Sequence, residues 1–312
     1  MDLTTAVGSV PLPNPVMTAS GTAGHGAELA RYVDLSSLGA VVVKSLSAEP
    51  WGGNPAPRVA EVDAGMLNSV GLQNPGIEAW LADELPPLLA TGARVVASVW
   101  GFTVEAYEKA AAALAAAPPQ VVAVEVNLSC PNLHGVAGSR EDRRKMFAHS
   151  PRLTAEAVEA TAGCGRPRWA KLSPNVTDLI EVAGAALGAG AAALTLVNTV
   201  MGMAIDPETR RPRLGAGGGG LSGPAIRPVA VRAVYDVCSA FPHAPVVGVG
   251  GVATGAHAVE LLLAGASAVQ VGTATFADPR APARVLGELE RWCRRHRVAR
   301  VADLVGKARA DA

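Results

Sequence analysis

Short apolar runs rich in valine, alanine and leucine recur eight times along the chain. They are nearly continuous rather than alternating with polar residues, which is typical of parallel strands buried on both faces. We therefore predict eight parallel strands. Their expected ranges are Val16–Thr18, Ala40–Val43, Arg94–Val99, Val121–Val126, Arg168–Leu172, Ala193–Val197, Pro245–Val249 and Ala268–Val271.

Helical patterns separate most of these strands. Their expected ranges are Glu78–Ala90, Val104–Ala117, Thr154–Thr161, Asp178–Leu187, Ala225–Ala240 and Ala256–Ala264. Alternating strands and helices predict either a closed barrel or a doubly wound sheet. A dinucleotide-binding sheet needs a GxGxxG turn after its first strand, and the sequence SGTAG (20–24) does not supply one. The pattern favours an α/β fold, a (β/α)8 TIM barrel that forms a single domain over residues 1–312.

Two connections are too long for plain barrel loops. Residues 45–77 follow the second predicted strand and residues 198–224 follow the sixth, and both are rich in glycine, proline and asparagine. Both should emerge at the carboxyl ends of the strands, where barrel enzymes place their active sites. We expect these long active-face loops to be substrate walls or lids.

The amino-acid composition argues against some classes of binding partner. Lys+Arg and Asp+Glu are equal at 27 each, so no net charge attracts a nucleic acid or an anionic membrane. The first residues resemble no signal peptide, and no run of about 18 apolar residues is present. These features predict a cytoplasmic protein. The four cysteines form no CxxC pair, so we expect neither a metal site nor disulfides.

Glycine turns end the seventh and eighth predicted strands. They read GVGG (248–251) and Gly272-Thr273. TIM barrels commonly hold a phosphate at this position through close backbone N–H groups. The turns predict a ligand that carries a phosphate group.

Polar residues stand at the ends of four other strands. Lys44 ends the run AVVVK, Lys171 lies in WAKL, and Asn127 and Asn198 end the fourth and sixth strands. Each lysine should face the ligand mouth and needs an anionic partner, because burying an unpaired ammonium is costly. The amides can donate to and accept from a small polar ring.

Cys130 lies in the segment NLSCPN just beyond the fourth strand. A nearby cation can lower a thiol pKa into the range for proton abstraction. The residues alone leave two roles open for Cys130, a nucleophile and a general base.

Several motifs together resemble the dihydroorotate dehydrogenases of class 1B over roughly residues 5–280. They are MTASG (17–21), VVVKSLS (41–47), GMLNSVGLQNPG (65–76), EVNLSCPN (125–132), KLSPNVTD (171–178), LVNTVMGMAID (196–206), GGLSGPAIRPVA (219–230), VVGVGGV (246–252) and SAVQVGTATFADP (267–279). GLQNPG, NLSCPN and GGLSGPAI in this order are highly specific.

The resemblance implies a flavoprotein that oxidises (S)-dihydroorotate to orotate in pyrimidine (UMP) biosynthesis with FMN at the barrel mouth. It implies that Cys130 is the general base and that Lys171 stabilises the reduced flavin. The implied substrate residues are Lys44, Asn68, Ser69, Val70, Gly71, Leu72, Asn127, Asn198 and Thr199. The implied FMN residues are Ser20, Lys44, Ser45, Ser98, Asn127, Lys171, Val197, Gly223, Gly250, Gly251, Gly272 and Thr273.

Class 1B also implies a partner. In that class a homodimeric FMN core forms a heterotetramer with a subunit that carries FAD and a [2Fe-2S] cluster and passes electrons to NAD+. The sequence has no group of closely spaced cysteines that could bind a [2Fe-2S] cluster, so the reduction of NAD+ is expected to take place outside this chain.

Three positions depart from the family pattern. Ser98 replaces an asparagine that usually touches the flavin, Trp100 replaces a small residue, and the loop after Cys130 is longer and more basic than usual. These departures leave every expected catalytic group in place.

Other functions share parts of this pattern. They are a class 1A homodimer that uses fumarate, an enzyme like dihydropyrimidine dehydrogenase, a tRNA-dihydrouridine synthase and a flavin-binding protein without turnover. Lys44 argues against a substrate that lacks a carboxylate, and the zero net charge argues against a tRNA substrate.

Overall fold

Eight parallel strands form the centre of the computed structural model, which describes residues 1–129 and 146–309. They are β1 (Val16–Thr18), β2 (Val41–Val42), β3 (Val95–Val99), β4 (Val121–Asn127), β5 (Arg168–Lys171), β6 (Ala193–Leu196), β7 (Val246–Val249) and β8 (Ala268–Val271). Each strand from β2 to β7 pairs with the next, and β8 pairs with β1. A parallel bridge between Met17 and Ala40 joins β1 to β2. The sheet therefore closes, which confirms the predicted (β/α)8 barrel.

Helices surround the barrel on the outside. One continuous helical segment consists of Ile77–Ala79, the π turn Trp80–Glu84 and Leu85–Ala90. The others are Val104–Leu114, Pro151–Ala160, Leu179–Gly188, Arg227–Ala240, Gly255–Ala264, Ala274–Ala277 and Ala281–Arg295. Short 3-10 turns occupy Glu28–Arg31, Leu35–Ser37, Phe147–His149, Thr161–Cys164, Pro224–Ile226, Val301–Leu304 and Lys307–Arg309.

Local sequence explains where several helices begin and end. Thr103, Ser150, Asp178 and Thr254 each cap a helix by accepting a hydrogen bond from the backbone N–H three residues later. Such a cap contributes about 1 kcal/mol to stability. The helix that begins at Val104 stops three residues before its predicted end at Ala117, close to the prolines at 118 and 119 that disfavour helical backbone before them.

Two apolar cores lie on opposite sides of the barrel wall. The larger fills the space between strands and helices. The smaller fills the lower barrel interior with side chains such as Met17, Val96 and Trp169, and it includes Val7, Val10 and Leu12 from an N-terminal hairpin. That hairpin, Thr5–Val7 paired with Val10–Leu12, lies at the amino ends of the strands, where Thr5 Oγ1 donates to the Ser267 carbonyl at 2.8 Å. It closes this end of the barrel.

The two long connections form regular structure, which the sequence did not predict. Val59–Val62, Gly65–Asn68, Gly219–Ser222 and Val200–Gly202 pair in that order as an antiparallel sheet, which we call the cap sheet. A second ribbon pairs Ile205–Asp206 with Arg211–Pro212. The cap sheet joins the connection after β2 to the connection after β6, so the two expected walls form one unit.

Glycines allow the central strands of the cap sheet to approach closely. A Cβ atom on Gly219 would lie 2.3 Å from the Asn68 carbonyl oxygen, and one on Gly220 would lie 2.0 Å from Thr199 Oγ1. Any larger residue would therefore separate Asn68 from Thr199.

Across residues 1–129 and 146–309, no helix has both the length and the apolar character needed to cross a membrane. Within those ranges no three His, Cys, Asp or Glu side chains are grouped as metal ligands.

Candidate active site

A cavity of about 540 Å³ opens at the carboxyl ends of the barrel strands, beside the cap sheet. Most of the predicted site residues contribute to its wall. They are Ser20, Lys44, Ser45, Asn68, Val70, Leu72, Asn127, Lys171, Val197, Asn198, Thr199, Gly223, Gly250, Gly251, Gly272 and Thr273. The structure thus brings together residues at or just beyond the carboxyl ends of β1, β2 and β4 to β8 and residues from both long connections.

Three predicted residues within the described ranges stand apart from this wall, and one further predicted residue is not described. Cys130 lies outside the described residues. Ser98 is completely buried below Ser45, and Ser69 is completely buried behind the wall. Gly71 also lies behind it, and its carbonyl accepts a hydrogen bond from Trp51 Nε1 at 2.9 Å. Ser69, Gly71 and Ser98 can therefore support the cavity without lining it.

Ser45 is the centre of a hydroxyl and amide cluster at the barrel mouth. Its Oγ lies 3.2 Å from Ser20 Oγ and 2.9 Å from Ser98 Oγ, and it accepts a hydrogen bond from Asn127 Nδ2 at 3.0 Å. Ser98, the departure from the family pattern, reaches the mouth only through Ser45. The cluster fixes the amide of Asn127 with its Oδ1 directed toward Asn198, whose Nδ2 donates to it at 3.2 Å.

Asn198 links the ends of β4, β5 and β6. Its Nδ2 also donates to Ser129 Oγ at 3.0 Å, and its Oδ1 accepts from the Thr199 backbone N–H at 2.8 Å. Ser129 Oγ in turn donates to the Lys171 carbonyl at 3.1 Å. Because each amide is held by neighbours, both asparagines present fixed donors and acceptors.

Lys171 reaches the cavity from below and has a carboxylate partner. Its Nζ lies 3.3 Å from Glu125 Oε1, and Glu125 Oε2 accepts from Gln270 Nε2 at 2.8 Å. The Lys171 side chain is only 6% exposed and that of Glu125 is completely buried. The expected anionic partner of Lys171 therefore comes from the adjacent strand β4.

Lys44 carries a positive charge into the β1 side of the cavity. A Cβ atom on Gly21 would lie 3.4 Å from Lys44 Nζ, so the ammonium lies above that glycine. Burial lowers the pKa of the nearby His25 imidazole, and the charge of Lys44 lowers it further. This side of the cavity suits an anionic group.

A second set of contacts fixes the segment 68–72. Asn54 Nδ2 donates to Ser69 Oγ at 2.9 Å, and the Asn54 backbone N–H donates to the Val70 carbonyl at 3.0 Å. Leu72 adopts a left-handed conformation with φ of 62°. These contacts hold Asn68, Val70 and Leu72 against the cavity.

The glycine turns after β7 and β8 have the shape of a phosphate cradle. Gly251 has φ of 69°, and a Cβ atom on it would lie 2.6 Å from Arg227 Cβ. Gly250 has a similar conflict with Ala230 Cβ at 2.7 Å. Only glycine fits here, so the backbone can approach a ligand closely. At the neighbouring turn Thr273 Oγ1 donates to Ser222 Oγ at 2.7 Å.

Sequence reasoning missed the polar residues that support the site from behind. Glu125, Gln270, Ser129 and His25 were not among the predicted site residues. Glu125 left a recognisable signal, because a carboxylate within the otherwise apolar run VVAVEVN needs a buried partner. The other three offered no comparable pattern.

Comparisons with known proteins agree with this geometry. A family model described as dihydroorotate dehydrogenase matches residues 2–292. A relative from Solibacter usitatus named putative dihydroorotate dehydrogenase A (fumarate) is 49% identical, with 97% of each chain covered. Relatives named dihydroorotate dehydrogenase B (NAD(+)), catalytic subunit, include one from Pelobacter propionicus at 47% identity, with 98% of each chain covered. Another, from Alkaliphilus oremlandii, is 45% identical, with 96% of this chain and 97% of the relative covered.

Proposed function

Because the chain belongs to the dihydroorotate dehydrogenase family, we propose that it oxidises (S)-dihydroorotate to orotate in the cavity at the barrel mouth. The observation that carries the proposal is the convergence of Lys44, Lys171, Asn127 and Asn198 on one cavity that also contains a glycine cradle. This set suits an anionic ring substrate beside a phosphate-bearing cofactor.

The residues of the cavity fit FMN, the flavin on which the family depends. FMN supplies a hydride acceptor when it is bound. Gly250, Gly251, Gly272 and Thr273 would hold its phosphate with backbone N–H groups, since three of these four positions carry no side chain. The ring would lie against the polar cluster of Ser20, Ser45 and Asn127 and above Lys171, with Val197 and Gly223 in the surrounding wall.

Dihydroorotate would bind on the side of the cap sheet. Lys44 provides the cation for its carboxylate, while the fixed amides of Asn68, Asn127 and Asn198 satisfy the polar ring. Thr199, Val70 and Leu72 complete the wall on that side. Ser69 and Gly71 act indirectly, by holding the segment 68–72 in place.

Cys130 would act as general base. It follows Ser129, whose hydroxyl is bound to the Lys171 carbonyl, so the chain leaves β4 directly beside the proposed substrate position. The thiolate would take the proton from C5 of dihydroorotate, and FMN, when bound, would supply the acceptor for the hydride from C6. The other three cysteines, Cys164, Cys238 and Cys293, are buried, and burial raises the pKa of Cys238 to about 11.

We propose NAD+ as the final acceptor, reached through a partner subunit with FAD and a [2Fe-2S] cluster. Relatives named as NAD(+)-linked catalytic subunits support this assignment. The words catalytic subunit in their names also support a partner subunit, and a homodimeric core within a heterotetramer is the assembly that we propose from the class 1B resemblance. The fumarate-using relative at 49% identity supports a second candidate, direct reduction of fumarate by this chain alone.

Anaerobic addition of dihydroorotate to the purified protein tests the reaction. The wild type should be yellow, and its flavin absorption should bleach rapidly. Cys130→Ala should keep the colour but bleach far more slowly at neutral pH, whereas the buried Cys164→Ala control should bleach like the wild type. A yellow protein that dihydroorotate does not bleach would refute the substrate. A colourless protein that cannot be reconstituted with FMN would refute the flavin assignment.

A second assay distinguishes the electron acceptors. The isolated chain is mixed with dihydroorotate and either fumarate or NAD+. Rapid turnover with fumarate would replace the NAD+ assignment by the class 1A alternative. Turnover with NAD+ only after addition of a 2Fe–2S and FAD subunit from one of the named relatives would support the class 1B assignment.

A further inference from the structure

The pair Glu125–Lys171 is unusual because it is a buried ion pair inside the barrel. Glu125 is completely buried, Lys171 is 6% exposed, and 3.3 Å separates Oε1 from Nζ. In every other ion pair of the described residues, both side chains are at least 28% exposed. Trp169 on β5 lies opposite Glu125 in the strand register, two residues before Lys171.

Stability does not explain this arrangement. Two charges removed from water lose solvation that their mutual attraction scarcely repays, and apolar residues of similar size are often at least as stabilising. The layer below is in fact apolar, with Val96, Ala123 and Trp169. A buried charge pair next to a ligand cavity is instead a candidate for a functional role.

The carboxylate is held by a neighbouring strand as well as by Lys171. Gln270 on β8 donates from Nε2 to Glu125 Oε2 at 2.8 Å. The Gln270 Oε1 atom is buried and has no hydrogen-bond partner within residues 1–129 and 146–309. Gln270 therefore serves the carboxylate specifically, and the two contacts fix both Glu125 oxygens.

We propose that Glu125 is a positioning residue that keeps Lys171 protonated and directed at the flavin; this rests on the proposed binding of FMN. Contact with Glu125 uses one of the three N–H donors of the ammonium, while the Lys171 side chain also lines the cavity. The negative charge of Glu125 compensates for desolvation of the ammonium.

Glu125→Gln tests the proposal by the number of protons taken up when the flavin is reduced, and not by the rate of turnover. Without a counter-ion, desolvation favours the neutral amine of Lys171 while the flavin is oxidised. Reduction places negative charge above the amine and should draw a proton back to it. The variant should therefore take up more protons per two electrons than the wild type, by as much as one. The measurement is the slope of the FMN midpoint potential against pH.

Matched variants separate charge from packing. In Glu125→Gln, the side chain of Gln270 can rotate its amide so that its unpartnered Oε1 accepts from the amide introduced at position 125, so this variant should fold. Glu125→Asp keeps the charge and should restore the wild-type slope. Thr195→Val is the control, because Thr195 is fully buried in the same barrel interior and its hydroxyl has no partner among the described residues. It should leave the slope unchanged.

Two results would overturn the proposal. One is the same slope in Glu125→Gln and the wild type; the other is an equal change in Glu125→Gln, Glu125→Asp and Thr195→Val, which would indicate packing alone. If Glu125→Gln does not fold, redox-difference infrared spectra of the wild type decide instead. Reduction should shift an ionised carboxylate band, and a protonated carboxyl band would contradict the proposal. Failure of the wild type to bind FMN would refute the proposed function, not this step.

Discussion

The two ends of the cavity are built in different ways. At the phosphate end, the backbone turns after β7 and β8 form the wall, and at Gly250 and Gly251 a side chain would clash with the helix Arg227–Ala240. At the substrate end, side chains from the barrel mouth and the cap sheet form the wall, and hydrogen bonds fix their directions. Steric change should therefore damage one end, whereas loss of a single polar group should damage the other.

The largest expected effect is at the phosphate end. Gly251→Ala places a Cβ atom 2.6 Å from Arg227 Cβ at a φ of 69°, so the turn must shift. We expect FMN binding to weaken by about 10- to 100-fold, since such strain costs ~1–3 kcal/mol. Fluorescence titration of the apoprotein with FMN measures it. Gly188→Ala, where a Cβ atom meets nothing within 4 Å, is the control. Wild-type affinity in Gly251→Ala would contradict the cradle.

Asn68→Ala should affect the substrate end alone. The variant removes an amide that lines the cavity from the cap sheet, and such a lost hydrogen bond costs ~1–1.5 kcal/mol. We expect the KM for dihydroorotate to rise about tenfold, with FMN affinity unchanged. Met203→Ala, on an exposed position outside the cavity wall, should change neither value. If Asn68→Ala instead released FMN, the two ends would not be separable.

A smaller effect is expected behind the substrate end. Trp51→Phe keeps an aromatic ring beside Phe102, whose ring centroid lies 5.0 Å away, but it removes the donor to the Gly71 carbonyl. A loss of ~1 kcal/mol predicts about a fivefold rise in the KM for dihydroorotate. Steady-state kinetics should compare it with Trp292→Phe, which lies in the C-terminal helix stacked on His296. An unchanged KM would show that segment 68–72 does not need this anchor.

The smallest effect concerns acid stability at the Lys44 side. Burial, and then the charge of Lys44, lower the pKa of His25 below its ordinary value of 6.5. The unfolded chain therefore binds a proton at this position more readily, and His25 destabilises the fold as the pH falls through and below that value. His25→Gln should show a smaller drop in Tm between about pH 7.5 and 5 than the wild type. The exposed His243→Gln is the control. An equal drop in both would refute the role of His25.

The two ends of the cavity also differ in how far they could be predicted from the sequence. The barrel strands and the glycine turns depend on local patterns, namely continuous apolar runs and adjacent glycines, and the strand positions agree closely with prediction. The cap sheet depends on pairing between residues about 150 positions apart, such as Asn68 with Gly220, and its strands are short. Glycines 219 and 220 suggested a loop, although they are the residues that let those strands approach.

The polar residues that support the site from behind could not be predicted from the sequence, for a related reason. The position of Lys171 within an apolar strand predicted an anionic partner. The sequence spacing of the residues does not connect Lys171 with Glu125 or Gln270, which come from β4 and β8. Their proximity follows only from barrel closure. Ser98 was likewise expected among the FMN residues, and its position below Ser45 follows only from the three-dimensional arrangement.

The N-terminal hairpin bears on where ligands enter and leave the barrel. Val7, Val10 and Leu12 are buried against the apolar residues of the lower barrel interior, so the hairpin covers the amino end of the barrel. Cofactor, substrate and product would then enter and leave through the cavity opening beside the cap sheet. FMN would have to bind before dihydroorotate, which would cover it. Because Glu125 and Lys171 lie at the inner end of this route, they are, among the described residues, the charged groups most remote from the solvent.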